Sequence, residues 1–276
     1  MSGPLRDKPI GVFDSGMGGL TVMRALIERL THESFVYLGD TARLPYGSKS
    51  ADTVTRYAVQ CARALTAHDI KLLVVACNTA SSTALPALTE ALAPIPVIGV
   101  IEPGAETAVA AAPSGRIAVI ATEGTVRGGA YRAAILKRNA GASVTQAPCP
   151  LFVALAEEGL TDGPIAELVA KQYLDPLLSG ARPECLVLGC THFPALKGVI
   201  GRVAGADIVL VDSAATTARA VENLLAAKGI ARGQGTPEAP RFLATDAPER
   251  FARVGEIFLG RKIPADSVRL VDLQNL

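Results

Sequence analysis

Leu72-Leu73-Val74-Val75-Ala76-Cys77-Asn78-Thr79-Ala80-Ser81-Ser82 decides how the rest of the chain is read. It opens on a short apolar run, the pattern of a strand buried on both faces of a parallel sheet. It then breaks into small polar residues, and a helical pattern follows. Cys77 falls where the strand ends. In open α/β sheets that edge, at the carboxyl ends of the strands, is where ligands bind. The pattern recurs further along as Cys185-Leu186-Val187-Leu188-Gly189-Cys190-Thr191-His192-Phe193-Pro194. Two thiols presented alike from two parts of one chain imply a site built between them.

Working outward, Ile10 to Asp14 is an apolar strand followed by the glycine-rich turn Ser15 to Gly19 and a helix from Leu20 to Leu30. Such a turn either cradles an anion at the helix start or is a tight turn that needs glycine. Its glycine spacing is not the full dinucleotide fingerprint. Phe35 to Gly39 is a second strand, ending at Asp40. Pro45-Tyr46-Gly47 is either a plain turn or a loop holding a tyrosine over a pocket mouth. A helix spans Ala51 to Ala67, another runs from the Cys77 strand to Leu92, and Pro96 to Val100 is a strand. From Pro103 the pattern restarts, with strands at Arg116 to Ala121 and Ser143 to Ala147. One helix is expected from Thr125 to Arg138 and another from Pro164 to Leu178. Ile208 to Val211 is a strand and Ala214 to Ala227 a helix. Two short strands flank a helix from Pro248 to Leu259. Strands alternating with helices predict parallel sheets with helices on both faces. The expected class is α/β, with two similar domains and the site in their cleft. The expected boundaries are 1–100 plus 212–276 for a discontinuous first domain and 101–211 for the second.

The whole chain sets bounds on function. Its 276 residues suit two modest domains, and 49% hydrophobic residues are ample for real cores. No apolar run reaches the length of a membrane span. Met1 to Pro9 is short and polar, unlike a signal peptide. A formal charge of +1 leaves no basic footprint for nucleic acid. Five cysteines, odd in number and not densely spaced, suit reduced thiols in the cytosol. Gly229 to Pro240, rich in glycine and proline, is the one linker-like stretch.

A zinc site at Cys185, Cys190 and His192 does not suit the pattern. Five strand residues span roughly 16 Å, and an odd offset turns the two thiols to opposite faces. Cys61 and Cys185 are expected in cores and Cys149, between two prolines, in a packed loop. Cys77 and Cys190 both precede helix starts, which is expected to lower a thiol's pKa toward neutral. Of three histidines, His32 and His68 lie near helix ends and are expected to face solvent. His192 either tunes Cys190, contacts a substrate, or is a loop histidine bonded to backbone. Glu157-Glu158 is either a solvated helix end or contains a buried carboxylate. Two equivalent thiols without a metal suit one chemistry: a carbon acid deprotonated on one face and reprotonated on the other. No lysine lies in either cysteine motif, as a pyridoxal enzyme would need.

Phe13-Asp14-Ser15-Gly16-Met17-Gly18-Gly19-Leu20-Thr21, Pro45-Tyr46-Gly47, Val75-Ala76-Cys77-Asn78-Thr79-Ala80 and Leu188-Gly189-Cys190-Thr191-His192-Phe193-Pro194 together resemble the bacterial glutamate racemases. The likeness runs in order from Ile10 to about Leu259. It implies a cofactor-independent cytoplasmic enzyme, commonly a homodimer, that interconverts L- and D-glutamate and so supplies peptidoglycan synthesis. Carried over by position, Cys77 would take the proton from D-glutamate and Cys190 from L-glutamate. Asp14 would assist Cys77, and His192 with Glu157 would assist Cys190. Asp14, Ser15, Pro45, Tyr46, Gly47, Asn78, Thr79, Thr122, Thr125, Thr191 and His192 would bind substrate. Some members have a long N-terminal extension that binds a cell-wall precursor; with nine residues before Ile10, the resemblance does not imply that control here. Two rivals stay open: an aspartate racemase, and a two-lobed binding protein with passive thiols.

Overall fold

In this computed structural model, residues 4–273 are described; Met1 to Gly3, which open the polar N-terminal stretch, lie outside that range. The chain begins with β1 (Ile10–Asp14), α1 (Leu20–Arg29), β2 (Phe35–Gly39), α2 (Ala51–Thr66) and β3 (Leu72–Val75). It continues through α3 (Asn78–Thr83), α4 (Leu85–Leu92), β4 (Val97–Gly99), α5 (Ile101–Ala111) and β5 (Arg116–Ala121). Next come α6 (Glu123–Gly128), α7 (Ala130–Arg138), β6 (Ser143–Pro148), α8 (Leu151–Glu157), α9 (Pro164–Leu178) and β7 (Cys185–Gly189). The remaining elements are α10 (Lys197–Ala204), β8 (Val209–Asp212), α11 (Ser213–Ala227), β9 (Arg241–Ala244), α12 (Pro248–Leu259) and β10 (Val268–Leu270).

The strands form two sheets, one of six in the order β10-β9-β2-β1-β3-β4 and one of four in the order β6-β5-β7-β8. Every pairing among the described strands is parallel. The central strands β1, β3 and β7 are buried along their whole length. This is why their sequences are apolar throughout rather than alternating. Along β1, Ile10 and Val12 pack into one core while Phe13 packs into another on the opposite face. The first of these cores is continuous with the second sheet, taking in Ile117, Val119 and Val187. The second lies under α2, where Ala58, Cys61 and Leu65 meet Val36 and Val75. The α/β class with two parallel sheets flanked by helices therefore stands as expected.

Two helices are broken where the sequence suggested single ones. The expected helix from Thr125 to Arg138 begins earlier, at Glu123, and is split at Gly129, whose φ is +66°. The expected helix from the Cys77 strand to Leu92 is split into α3 and α4 at Ala84. His32 is exposed, as expected, but His68 is half-buried. The stretch from Gly229 to Pro240 is strapped down rather than free. Lys71, fully buried, pairs with Glu33 at 2.6 Å and donates to Ile230 O at 2.9 Å. Glu33 in turn accepts from Arg232 N at 2.8 Å. Burying such a pair is tolerated because nearly every remaining polar direction finds a backbone partner.

Candidate active site

The site lies at the carboxyl edges of both sheets. β1 and β3 are neighbours in the first sheet and end toward Asp14 and Cys77. β5 and β7 are neighbours in the second and end toward Thr122 and Cys190. A cavity of about 370 Å³ opens between these edges, lined by Ser15, Cys77, Asn78 and Thr79 from one side and Thr122, Cys190, Thr191 and His192 from the other. Pro45, Tyr46 and Gly47 also line it, as does Glu157. Both sulfurs belong to residues almost wholly buried, with Cys77 5% and Cys190 6% exposed. Asp14 and Thr125 do not reach the wall; both are buried directly behind it.

Asp14 is fully buried and accepts from Gly16 N at 3.0 Å, while its Oδ1 has no hydrogen-bond partner among the described residues. Burial pushes its carboxyl above the ordinary carboxylate range, against the opposing pull of His192 and the backbone N–H groups of Gly19, Gly16 and Ser15. Cys77 caps α3, accepting from Ala80 N at 3.4 Å, and donates to Ser15 Oγ at 3.5 Å. The helix-start position was expected to lower its pKa. Instead burial, reinforced by the Asp14 charge, pushes the thiol up to about 12. The reason is scale: α3 has only six residues, and its free N–H groups cannot offset full desolvation beside a carboxylate. Cys77 therefore holds its proton at neutral pH.

The Cys190 side is built differently. After β7 the chain makes a one-turn 3-10 helix, Phe193–Leu196, so no long helix starts at this thiol. What stands beside Cys190 Sγ is His192 Nδ1, at 3.7 Å. His192 Nε2 lies 3.2 Å from Glu157 Oε1, and Glu157 Oε2 accepts from Arg250 at 3.1 Å. Burial alone would lower the imidazole pKa, but its bonds to Cys190 and Glu157 and the nearby sulfur and Asp14 charges raise it to about 10. Burial would raise the Glu157 carboxyl, but His192 and Arg250 hold it below its ordinary value. The carboxylate of the pair is Glu157, at the end of α8; Glu158 beside it is exposed.

Neutral donors make up most of the remaining wall. The hydroxyls of Thr79, Thr122 and Thr125 form a triangle with sides of 3.0, 3.2 and 3.0 Å. Asn78 Oδ1 accepts from the hydroxyl of buried Tyr131 at 2.8 Å, which leaves Asn78 Nδ2 without a partner among the described residues. Tyr46 lines the cavity with its ring, but its hydroxyl is turned away to Asp40 Oδ2, which also accepts from Arg43. Tyr131, Arg250 and the cavity-lining Pro150, Val153 and Ala154 were not singled out in the sequence. The last three sit at the start of α8, in a motif whose only local signal is the Cys149-Pro150 turn.

Glycines let the two edges meet. A Cβ on Gly47 would lie 2.7 Å from Thr122 Cβ. A Cβ on Gly18 would lie 2.5 Å from His192 Cε1 and 2.6 Å from Thr191 Oγ1. Gly18→Ala is therefore expected to destabilise the fold by about 1–3 kcal/mol through overpacking. Urea unfolding followed by circular dichroism measures it, and an unchanged midpoint would show that His192 moves aside freely.

Comparisons with known proteins agree with this architecture. The family model described as Asp/Glu/Hydantoin racemase matches residues 10–221. A glutamate racemase of Geobacter metallireducens is 52% identical over 256 residues, covering 93% of this chain and 94% of that protein. The structure of a glutamate racemase from Francisella tularensis in complex with D-glutamate superposes with a TM-score of 0.91 at 38% identity, covering 98% of this chain and 100% of that one. A glutamate racemase from Thermus thermophilus, in complex with beta-chloro-D-alanine, gives a TM-score of 0.87 at 44% identity, covering 98% of this chain and 99% of that one. On this identity and coverage, the chain belongs to the Asp/Glu/Hydantoin racemase family of isomerases and groups within it with the glutamate racemases.

Proposed function

We propose that the chain interconverts L- and D-glutamate by a cofactor-independent, two-thiol mechanism and thereby supplies D-glutamate for peptidoglycan synthesis. The observation that carries this reading is the pair of thiols at matching strand ends of two sheets, facing one cavity. They are unlike in their resting chemistry. Cys77 is a buried thiol that keeps its proton. Cys190 stands against the His192 ring, with its sulfur 3.7 Å from Nδ1, and that imidazole keeps its own proton. One acid and one base on opposite sides of a carbon are what an inversion requires.

In the L-to-D direction the Cys190 thiolate takes the α-hydrogen, and the C–H electron pair passes into the α-carboxylate. Cys77 then delivers its own proton to the opposite face. Its sulfur is left as a thiolate and Cys190 as a thiol, so the pair is set for the D-to-L direction. Asp14 sits behind Cys77, with Ser15 Oγ bonded to the sulfur and Asp14 Oδ1 free to take part in a proton relay. His192 with Glu157 serves Cys190 in the same way. The threonine triangle, Asn78 Nδ2, Thr191 and the backbone around Ser15 and Pro45 to Gly47 supply donors for the two carboxylates. Lysine and arginine are absent from the lining among the described residues, so apart from His192 neutral donors would hold both acids.

The same reading takes the chain as a discontinuous domain of residues 1–100 plus 212–276 and a second of 101–211. The pairing of β9 with β2 and the packing of α11 on α1 support that division. It takes the enzyme as cytoplasmic and homodimeric, with no nucleic-acid or membrane partner. Five free thiols fit a reducing compartment.

The test is purified protein with chelator and no added cofactor, assayed by chiral chromatography. Turnover of L-glutamate into D-glutamate is expected, with kcat/KM about 100-fold above that for aspartate, because one lost methylene draws the distal carboxylate off its donors. Comparable values for the two acids would make this an aspartate racemase; binding without turnover would make it a binding protein.

A further inference from the structure

Helix α12 lies beyond the span matched by the family model, yet it touches the site at two points. Arg250, in its first turn, donates to Glu157 Oε2 at 3.1 Å. Phe258, two turns later, meets the His192 ring edge to face, with centroids 5.1 Å apart and planes at 79°. Glu157 thus uses one oxygen for His192 and the other for Arg250, and His192 uses its second nitrogen for the Cys190 sulfur at 3.7 Å. A glutamate at the last residue of a seven-residue helix has free rotamers unless both oxygens are engaged. The charged bond from Arg250 Nη2 engages the second oxygen and so restricts that freedom. The Cys77 side has no such chain; its sulfur is held by Ser15 and Ala80 N.

We infer that Arg250 is a positioning residue for the Cys190 face alone: by clamping Glu157 it holds the His192 ring against the sulfur that deprotonates L-glutamate. This rests on the racemase reading above. It has a thermodynamic signature. The two enantiomers are equally stable in water, so kcat/KM must fall by the same factor in both directions whichever face is damaged. The faces separate only in their isotope effects. With α-deuterated L-glutamate the sensitive step is abstraction by Cys190; with α-deuterated D-glutamate it is abstraction by Cys77. Raising the barrier at Cys190 makes the first step more rate-limiting and the second less.

Parent turnover is measured first; its absence would refute the proposed function and not the placement of Arg250. In Arg250→Gln, kcat/KM is expected to drop on the order of tenfold in both directions. The α-deuterium effect on kcat/KM should rise from L-glutamate and fall from D-glutamate. Arg250→Lys, which keeps the charge and one bond, should recover most of the rate and show the same split at smaller size. It carries the test if the glutamine variant does not fold. A parent-like rate in both variants, or a slower rate with isotope effects unchanged or moved in the same sense for both enantiomers, overturns the inference.

Discussion

Cys77→Ser and Cys190→Ser each lower kcat/KM for glutamate by about 10³-fold, the middle of the range that a positioned proton-transfer group contributes. The hydroxyl that replaces the thiol is a far weaker acid, so it cannot become a base at neutral pH. At position 190 the group beside His192 can then no longer act as the base. At position 77 the loss is of a donor: serine still holds a proton, but its conjugate base, formed beside Asp14, is much harder to make. Both variants should slow L-to-D and D-to-L racemisation by equal factors in kcat/KM. Both side chains line the cavity, where a hydroxyl can be accommodated, so the fold should survive, and circular dichroism checks this. Cys61→Ser, Cys149→Ser and Cys185→Ser should keep most turnover per folded molecule, although each buries a hydroxyl. A Cys77→Ser or Cys190→Ser enzyme within tenfold of the parent would end the two-thiol account.

In heavy water, the first D-glutamate formed from unlabelled L-glutamate carries deuterium at the α-carbon almost completely, while recovered L-glutamate stays almost unlabelled. The expectation comes from the placement of the two sulfurs on different sides of the cavity. The proton that Cys77 delivers exchanged with solvent before substrate arrived, so it is a deuteron. The hydrogen that Cys190 removes stays on the opposite wall and seldom returns. Proton NMR of the separated enantiomers at low conversion gives both numbers. A single base swinging across the cavity would carry original hydrogen into the product and would wash hydrogen out of the starting enantiomer. Either result excludes two bases, even in a protein that racemises glutamate well.

Those expectations draw on features that were unequally legible in the sequence. The strands under both thiols were plain, because β3 and β7 are buried on both faces and are written as unbroken apolar runs. The split at Gly129 was marked by the Gly128-Gly129 pair, which the helical period around it masked. The proton affinity of Cys77 was misjudged because a position in sequence shows a helix start but not its length, nor a carboxylate brought in on the neighbouring strand. Tyr46 was visible as a residue at the pocket, but the partner that turns its hydroxyl away, Asp40, is shared with Arg43 and Thr245 and becomes apparent only in space. Arg250, Phe258 and Tyr131 were illegible for one reason. Each reaches the site from a helix whose own sequence gives no sign of what it will meet.

The order in which the first sheet is assembled has a consequence for the protein as it leaves the ribosome. β2 pairs with β1 on one side, but on the other its neighbour is β9. Thr245, just past β9, bonds Asp40, just past β2, across 205 residues of chain. At a synthesis rate of about 5–20 residues per second, that gap is roughly 10–40 s during which the edge of β2 has no partner. The nascent chain must therefore carry an open strand edge while the whole four-stranded sheet is made and folded, which is the kind of surface that invites pairing with another chain. The helix that clamps Glu157 is also made late, so a chain stalled before it would hold both cysteines and lack the Arg250 clamp.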